Sequence, residues 1–278
     1  MQLKKVVEMD YKRSMPVGSR LHSHTNCEIF YFHEGEGSYL INDKIYLLSP
    51  GDILLMNGIT LHCPRMYKNA DFVRTVIYYD AAFLRELPEY LFDSTIRKRL
   101  QEIKNCRIRL GGEKEKIEHL LKEMKAFGDK EDSTSQKRFI LKFLDLLYCI
   151  QELNITETDE GMDDLSEKER NVQRVIEYIE NNFMGEISMQ RLEENLHLSK
   201  YYLSRIFHQI TGLTVFDYLY RKRVNEAKIL FLLQQDISVT DVCYQVGFRQ
   251  PSHFSRIFKK YTGFAPDQFR RLDQKQKF

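Results

Sequence analysis

The sequence LSKYYLSRIFHQITG, residues 198–212, recurs in altered form as FRQPSHFSRIFKKYTG, residues 248–263. The four residues SRIF are identical at 204–207 and 255–258, and in each copy a Thr-Gly pair follows at the same distance. An Ile-Ser pair begins each copy, at 187–188 and at 237–238. A helical unit that occurs twice indicates a duplicated architecture, which predicts two similar helices presented to a partner with a repeating structure.

Each copy has the pattern of a helix-turn-helix unit. A short helix, 189–196 or 239–246, leads through a tight turn into a second helix, 200–210 or 251–261. The serines at 188, 199 and 238 stand where helix N-caps are expected, and Gly247 suits a left-handed turn. Residues 216–233 are long enough to form one helix that joins the copies. The C-terminal region is therefore predicted to be entirely helical.

The second helix of each copy has an apolar face and a polar face. Arginine can bond guanine O6 and N7, serine, tyrosine and histidine offer smaller polar contacts, and lysine neutralises phosphate. One such helix alone would also fit an ordinary solvated face, but an arginine at the same place in both copies favours base contact. The predicted DNA-binding residues are Lys200, Tyr201, Ser204, Arg205, His208, Ser252, His253, Arg256 and Lys259.

The net positive charge of the chain lies in the part that carries the repeat. The whole chain has a net charge of +2, but residues 1–166 hold 24 Lys+Arg against 27 Asp+Glu, whereas residues 167–278 hold 18 against 13. A basic excess on a helical repeat favours a phosphate-bearing partner.

Composition excludes several classes of protein. A hydrophobic fraction of 42% argues against wholesale disorder, and no run approaches the ~20 apolar residues of a membrane helix. The charged N-terminus lacks a signal-peptide pattern. The five cysteines are scattered without a C-x-x-C pair, which argues against a disulfide framework or a thiolate zinc site. These features predict a cytoplasmic protein with no membrane partner.

The N-terminal region has a strand pattern, because short apolar runs alternate with turn formers from residue 3 to residue 79. Asn42-Asp43 is the expected hairpin turn, and a compact β-sandwich or barrel follows from the pattern. After residue 80 the period becomes helical, with a stretch at 83–103 interrupted by Pro88. A wide apolar stripe at 139–150 would either cover the barrel or pair with a second copy of the chain.

Three histidines and a glutamate form a candidate pocket in this region. His22 and His24 point the same way on a strand, Glu28 can join them if the chain stays extended, and His62 follows downstream. Imidazoles with a carboxylate suit a divalent zinc, iron, manganese or nickel ion, and they can equally hydrogen-bond a polar small molecule. Tyr39 is a candidate for stacking on a sugar in a chain without tryptophan. These five residues are the predicted effector-binding set, the first four are also the candidate metal set, and no other cofactor is indicated.

Residues 187–271 resemble the DNA-binding domain of the AraC family of transcriptional regulators. The resemblance rests on Leu198-Ser199, the two SRIF segments, Thr211-Gly212, Arg223, Ala227, Val246-Gly247-Phe248, Ser252-His253-Phe254, Lys259-Lys260, Gly263 and Pro266. It implies two recognition helices in successive major grooves on one face of DNA. By position, it assigns base reading to Tyr201, Ser204, Arg205, Ser252, His253 and Arg256.

The first copy departs from the family pattern more than the second. Glu193 and Cys243 stand where the family usually has alanine, and Val215 stands where the second copy has Pro266. Cys243 is small enough to be harmless, whereas Glu193 is expected to loosen the first unit.

The H-x-H, three residues, E, six residues, G spacing of residues 22–35 resembles the cupin fold. An N-terminal cupin joined to this DNA-binding domain is a common layout in the family, which implies a barrel that senses a small effector, often a sugar. The chain is thus predicted to be an α+β protein with a cupin-like β-barrel and an all-α domain of two helix-turn-helix units. The predicted segments are an effector-binding domain at 1–105, a helical and candidate dimerisation segment at 106–153, a linker at 154–169 and the DNA-binding domain at 170–278.

The leading functional hypothesis is a ligand-responsive transcriptional regulator, with activator as its expected type, rather than an enzyme. Its expected partners are double-stranded DNA, a small effector, a second copy in a homodimer and RNA polymerase. The alternative is a cupin metalloenzyme, an isomerase or dioxygenase, that uses the pocket residues and carries the repeat as an interaction module. RNA fits less well because its A-form major groove is closed to a helix.

Overall fold

The computed structural model describes residues 6–14, 21–67, 71–94, 105–153, 165–234 and 236–276, with side chains to residue 271. Within them the chain divides into two compact units. The first comprises residues 1–42 and 46–163, and the second comprises residues 164–278 together with 43–45. No helix in these ranges is long and apolar enough to cross a membrane.

The first unit is built on two sheets. Its strands are β1 (Val7–Ser14), β2 (Cys27–Gly35), β3 (Gly37–Ile41), β4 (Lys44–Leu47), β5 (Asp52–Asn57), β6 (His62–Met66), β7 (Phe72–Tyr79) and β8 (Cys106–Arg109). A five-stranded sheet has the order β1-β7-β2-β5-β8, and a three-stranded sheet has the order β4-β3-β6. The described strands form two sheets, and the α+β class predicted from the sequence, with a sheet-rich N-terminal domain and a helical C-terminal domain, is confirmed. The predicted hairpin turn is confirmed between β3 and β4, where Asn42 has φ 52°.

Strand β2 lies in the middle of the five-stranded sheet and has both faces covered. Phe30 and Phe32 pack into the core shared with Tyr39 of the three-stranded sheet. The alternate side chains Ile29 and Tyr31 point to the other face and pack in the core that contains the helices. This alternation follows from the two-residue period of a strand, and it places Glu28 on the inner side with Phe30.

The first unit also has helices α1 (Ala81–Glu86), α2 (Lys114–Gly128) and α3 (Ser133–Glu152). The apolar face of α3, including Phe143, Leu144 and Leu147, is buried in the same core as β2. The apolar stripe at 139–150 therefore packs in the core beneath the five-stranded sheet of the same chain.

Three sequence-based boundaries differ from the structure. The helical segment expected from residue 106 begins with strand β8, which pairs with β5, and regular helix starts only at 111–114. The stretch expected to be helical at 83–103 contains α1, which ends two residues before Pro88, and residues 95–104 lie outside the described ranges. Of the predicted linker, residues 154–164 also lie outside them, and residues 167–169 already belong to the next helix.

The second unit is helical, as predicted. Its helices are α4 (Glu167–Asn182), α5 (Met189–Leu196), α6 (Lys200–Thr211), α7 (Val215–Leu233), α8 (Val239–Gln245), α9 (Pro251–Thr262) and α10 (Pro266–Gln276). Helix α4 packs on α5 and α6, and the long α7 contacts α6, α8, α9 and α10. Ala227 and Phe231 of α7 share a core with Phe254 and Phe258 of α9. Helix α7 therefore links the two copies of the repeat, as the sequence indicated.

Candidate nucleic-acid interface and histidine pocket

The first helix-turn-helix unit is defined by side-chain caps. Ser188 accepts a hydrogen bond from the Arg191 N–H at the start of α5, and Ser199 accepts one from the Tyr202 N–H at the start of α6. Between them His197 adopts a left-handed backbone, with φ 56°. The predicted N-caps at these two serines and at Ser238 are confirmed.

The Thr-Gly pair ends the second helix of each copy in the same way. Thr211 Oγ1 donates to the Phe207 carbonyl at 2.7 Å, the Leu213 N–H donates back to this oxygen at 3.1 Å, and Gly212 has φ 70°. In the second copy, Thr262 bonds Phe258 and Phe264 identically, at 2.9 and 3.2 Å, and Gly263 has φ 83°. The repeated dipeptide thus forms a helix C-cap that needs a threonine hydroxyl and a glycine backbone.

The predicted contact residues of α6 lie on its exposed face. Tyr201 is 79% exposed, and the Lys200 ammonium is 5.5 Å from the centre of its ring. The remaining predicted residues of this helix, Ser204, Arg205 and His208, are also exposed. The opposite face, with Leu203, Ile206 and Phe207, is buried, so α6 offers one polar surface to a partner.

On α9 the structure separates His253 from the other predicted residues. Ser252, Arg256 and Lys259 are exposed, whereas His253 is half-buried, with its ring 5.6 Å from Tyr220 and 5.5 Å from Phe248. Burial, and then the positive charges of Arg256 and Arg223, lower the pKa of His253. His253 therefore exposes only one edge of a neutral ring to a partner, whereas the side chains of Ser252, Arg256 and Lys259 are exposed.

Arg223 is a supporting residue that the sequence marked only as part of a motif. Its Nε donates to the Phe183 carbonyl and its Nη2 to the Gly185 carbonyl, both at 2.7 Å. The guanidinium also lies 5.4 Å from the ring of Phe248, which contacts His253. One side chain of α7 thereby ties the end of α4 to the start of the second recognition helix.

Glu193 and Cys243, which stand where the family usually has alanine, are accommodated differently. Glu193 is partly buried, and its carboxylate accepts the Lys200 N–H at 3.3 Å. It contributes to the N-terminal cap of α6, so the packing conflict expected from its size does not arise in the core. Cys243 is fully buried beside Phe248.

The histidine pocket forms where His22 meets β6. The N–H of His22 donates to the His62 carbonyl at 3.1 Å, and the N–H of His62 donates back at 3.0 Å. The ring centres of these two residues are 4.3 Å apart, and His24 lies 5.0 Å from His62. Each of the three histidines offers a ring nitrogen within 4.8 Å of the others. The structure thus brings together the histidines that the sequence grouped.

Glu28 lies at the centre of this pocket and is only 3% exposed. Its Oε2 is 3.2 Å from His24 Nε2 and 3.4 Å from His62 Nε2, and its Oε1 accepts the Tyr39 hydroxyl at 3.4 Å. Burial raises the pKa of this carboxyl, but hydrogen bonds and charge from the two histidines outweigh burial and lower it to about 2. The pocket therefore holds a buried carboxylate in ionised form.

The orientation of the histidines leaves their Nε2 atoms facing this carboxylate. His24 Nδ1 is 3.0 Å from the Asn26 carbonyl and His62 Nδ1 is 2.8 Å from the Thr60 carbonyl, so each Nδ1 must carry a proton and donate it. A neutral imidazole then has a lone pair on Nε2, directed at the Glu28 oxygen. The lone pair and the Glu28 oxygen repel each other unless a proton or a metal ion lies between them.

The donor set fits a divalent metal ion. A tetrahedral ion with bonds of about 2.0–2.1 Å holds its ligand atoms about 3.3 Å apart. The distances of Glu28 Oε2 from His24 Nε2 and His62 Nε2, 3.2 and 3.4 Å, match this edge length. His22 is exposed, and one of its ring nitrogens lies within 4.8 Å of ring nitrogens of His24 and His62.

Tyr39 differs from the role expected of it. The ring is 1% exposed and packs edge-on against Phe30, with centres 4.8 Å apart, so its face is not open for stacking on a sugar. Only its hydroxyl reaches the pocket. Tyr78, which β7 places opposite Glu28, lies 5.5 Å from the His24 ring and is the more accessible aromatic side chain there. The sequence offered no basis for preferring Tyr78, because strand pairing decides this contact.

Comparison with known proteins identifies both units. An AraC-like ligand binding domain matches residues 11–125, and a helix-turn-helix domain matches residues 192–272. The HTH-type transcriptional activator RhaS of Citrobacter koseri is 26% identical over 254 residues, which cover 90% of this chain and 86% of that protein. The bifunctional transcriptional activator/DNA repair enzyme AdaA of Bacillus subtilis is 33% identical over 103 residues, 37% of this chain, and the chain spans about half of AdaA, 48%. Among solved structures, the C-terminal domain of the response regulator AraT from Geobacillus stearothermophilus is 30% identical, with 38% of this chain and 88% of that chain covered at a TM-score of 0.37.

Proposed function

We propose a two-helix mode of DNA reading for this chain, which belongs to the AraC family and is a DNA-binding transcriptional regulator with an N-terminal ligand-binding domain. Helices α6 and α9 enter successive major grooves on one face of the duplex. The observation that carries this proposal is the equivalence of Arg205 and Arg256, which are exposed at the same place on two helices with the same Thr-Gly cap. A duplex with a helical repeat is the partner that such a duplication fits.

The proposed division of labour follows from the exposed chemistry. Arg205 and Arg256 read guanine, Tyr201, Ser204 and Ser252 make smaller base contacts, and His253 contributes one ring edge. The lysines at 200 and 259 and His208 lie where they would face the sugar-phosphate backbone. As a DNA-binding protein the chain would act in the cytoplasm, as a homodimer that contacts RNA polymerase.

Replacement of Arg256 tests this mode of reading. In binding-site selection from random duplexes, Arg256→Ala is expected to cost about 1–3 kcal/mol on the wild-type site and to relax the preference at one position. Arg205→Ala should relax a different position, about one helical turn away. Arg138→Ala, an exposed arginine of the first unit, is the matched control and should leave selection unchanged. Unaltered base preference in both α6 and α9 variants would refute the proposal.

For the ligand-binding domain we propose that the effector binds at His22, His24, Glu28 and His62, with the Tyr39 hydroxyl on the far side of the carboxylate. A buried, ionised carboxylate flanked by imidazoles is suited to hydroxyl groups, which supports a sugar or other polyol as the effector class. Regulation then requires that the effector bind more tightly to one DNA-binding arrangement of the chain than to another. The relatives that match over most of the chain are transcriptional regulators, so the metalloenzyme alternative is set aside.

A divalent metal ion is a second candidate for this pocket, because two Nε2 lone pairs converge on one buried carboxylate. Bound there, the ion would supply a positive centre that a ligand oxygen can approach. The measurement is metal content of the purified protein, with the thermal shift on adding zinc as a second readout. Near-stoichiometric metal that is lost in His24→Ala supports the ion, with the exposed His119→Ala as control. Metal-free protein that still responds to a polyol assigns the pocket to the polyol.

A further inference from the structure

A single carboxylate joins the two helix-turn-helix units on the surface of the second unit. Glu186 lies between α4 and α5, and its Oε2 is 2.9 Å from Nη2 of Arg249 and 3.5 Å from Nη2 of Arg191. Arg191 belongs to α5 of the first helix-turn-helix, whereas Arg249 lies two residues before α9 of the second helix-turn-helix. Neither arginine was among the residues expected to contact DNA.

Arg249 extends the exposed face of the second recognition helix. On α9 the exposed residues Ser252, Arg256 and Lys259 follow one another at intervals of four and three, which places them along one side of the helix. The exposed Arg249 lies two residues before the helix begins. Arg249 is 78% exposed, so a partner that reaches Ser252 and Arg256 also reaches this guanidinium. Its position at the helix N-terminus, where backbone N–H groups also point outward, suits a phosphate oxygen.

The bond from Glu186 to Arg249 is one that a phosphate can replace. Glu186 is 52% exposed, and an ion pair between exposed side chains contributes little net stability and is screened by salt. A phosphate offers the guanidinium the same bidentate geometry as a carboxylate. The Glu186 carboxylate and a phosphate would therefore compete for the same guanidinium.

We propose that Arg249 is a phosphate-binding residue and that Glu186 holds it in the DNA-free protein, so that DNA must displace the carboxylate to engage this arginine. The inference rests on the proposed reading of DNA by α9. Because phosphates carry no sequence information, the carboxylate weakens binding to every duplex by the same factor. Its effect is to keep the protein from remaining on DNA that offers no base contacts.

Charge-neutral replacement of the carboxylate gives the first test. Affinity is measured by fluorescence anisotropy at several KCl concentrations, on a duplex selected by the wild-type protein and on a scrambled duplex of equal length. Glu186→Gln should tighten binding to both duplexes by about two- to fivefold, which lies within the range expected of one exposed ion pair. Glu194→Gln is the matched control, because this exposed glutamate on α5 bonds only Gln190 among the contacts described, and it should change affinity less than about twofold.

Removal of the arginine gives the second test. Arg249→Ala should weaken both duplexes equally and lower the slope of log K against log salt by about one. In the double variant, most of the gain from Glu186→Gln should disappear, because the carboxylate then has no Arg249 to hold. A gain that persists in full would show that Glu186 acts by general repulsion of DNA, and it would overturn the proposal.

The outcomes separate this inference from the proposed function. If wild-type protein binds neither duplex with preference, or Arg256→Ala leaves selection intact, the α9 reading mode fails. If Arg256→Ala relaxes selection while Arg249→Ala leaves affinity and salt slope unchanged, the reading mode stands and the role of Arg249 is refuted. Urea midpoints of all variants should match that of the wild type, since the groups concerned are exposed.

Discussion

Gly247, in the turn between α8 and α9, has a backbone conformation and surroundings that do not accommodate a side chain. The residue has φ +88°, a conformation that costs an L-amino acid roughly 1–2 kcal/mol. A Cβ atom added here would lie 2.7 Å from both the Phe183 and the Met184 carbonyl oxygens. The Phe183 carbonyl is held by the Arg223 guanidinium, so the end of α4 cannot move away without loss of that hydrogen bond.

Gly247→Ala is therefore expected to destabilise the second helix-turn-helix unit by about 3 kcal/mol, the centre of a range of about 1–5 kcal/mol. The estimate adds the backbone cost to an overpacking cost of about 1–3 kcal/mol, and it subtracts about 0.4–1 kcal/mol for the reduced freedom of the unfolded chain. The repeat provides a matched control in His197, which occupies the equivalent turn position with φ 56° and an exposed side chain. Because His197 already places a Cβ in this conformation, His197→Ala should change the free energy of unfolding by less than about 0.5 kcal/mol.

Native-state hydrogen exchange measures this difference locally. Amides of α8 and α9 should exchange about 30-fold faster or more in Gly247→Ala, whereas amides of α3 in the first unit serve as the internal reference. His197→Gly should slow exchange in α5 and α6 modestly, because relief of left-handed strain exceeds the added chain entropy. Protection of α9 that stays within about twofold of wild type, or an equal effect of His197→Ala on its own unit, would refute the steric reasoning.

Three further predictions concern titratable side chains. Lys259→Ala should weaken binding to selected and scrambled duplexes about equally and lower the salt slope by about one; a loss confined to the selected duplex would contradict its phosphate role. Lys222→Met should destabilise the second unit by about 3 kcal/mol, because it leaves the Glu180 carboxylate, now 2.6 Å from the ammonium and 10% exposed, buried without its cation. Burial raises the pKa of Glu180, so the destabilisation in urea titrations should be larger at pH 7 than at pH 5, and equal losses would argue against it. Burial, and then the charge of Lys12, lower the pKa of His33 to about 4, so the unfolded chain, with a pKa near 6.5, binds the proton more readily. Stability should therefore fall by up to about 3 kcal/mol from this group as pH drops from 6.5 to 4, and His33→Gln should remove that part of the acid sensitivity.

Local features of the repeat were predictable because their causes lie within a few residues of one another. Ser188, Ser199 and Ser238 each bond an N–H three residues ahead, and Thr211 and Thr262 bond carbonyls four residues back. The exposed and buried faces of α6 and α9 follow from the 3.6-residue period in the same way.

Contacts between segments that are distant in the sequence could not be predicted in this way. The α3 stripe could have paired with a second chain, and only the fold showed that it covers the five-stranded sheet. Residues 106–109 alternate apolar and charged side chains over only four positions, and it is the pairing with β5 that makes them a strand. His253 was expected to be free, whereas Tyr220 and Phe248 enclose part of its ring.

The sequence by itself determined the duplicated helical unit, its caps, its basic excess and the grouping of His22, His24 and Glu28, because these depend on residues close together in the chain. The tertiary structure decided that His62 completes the pocket with both Nε2 atoms on one carboxylate, and that Glu186 meets arginines from both helix-turn-helix units. Such contacts depend on strand register and helix packing, where a shift of one residue would turn a side chain to the opposite face.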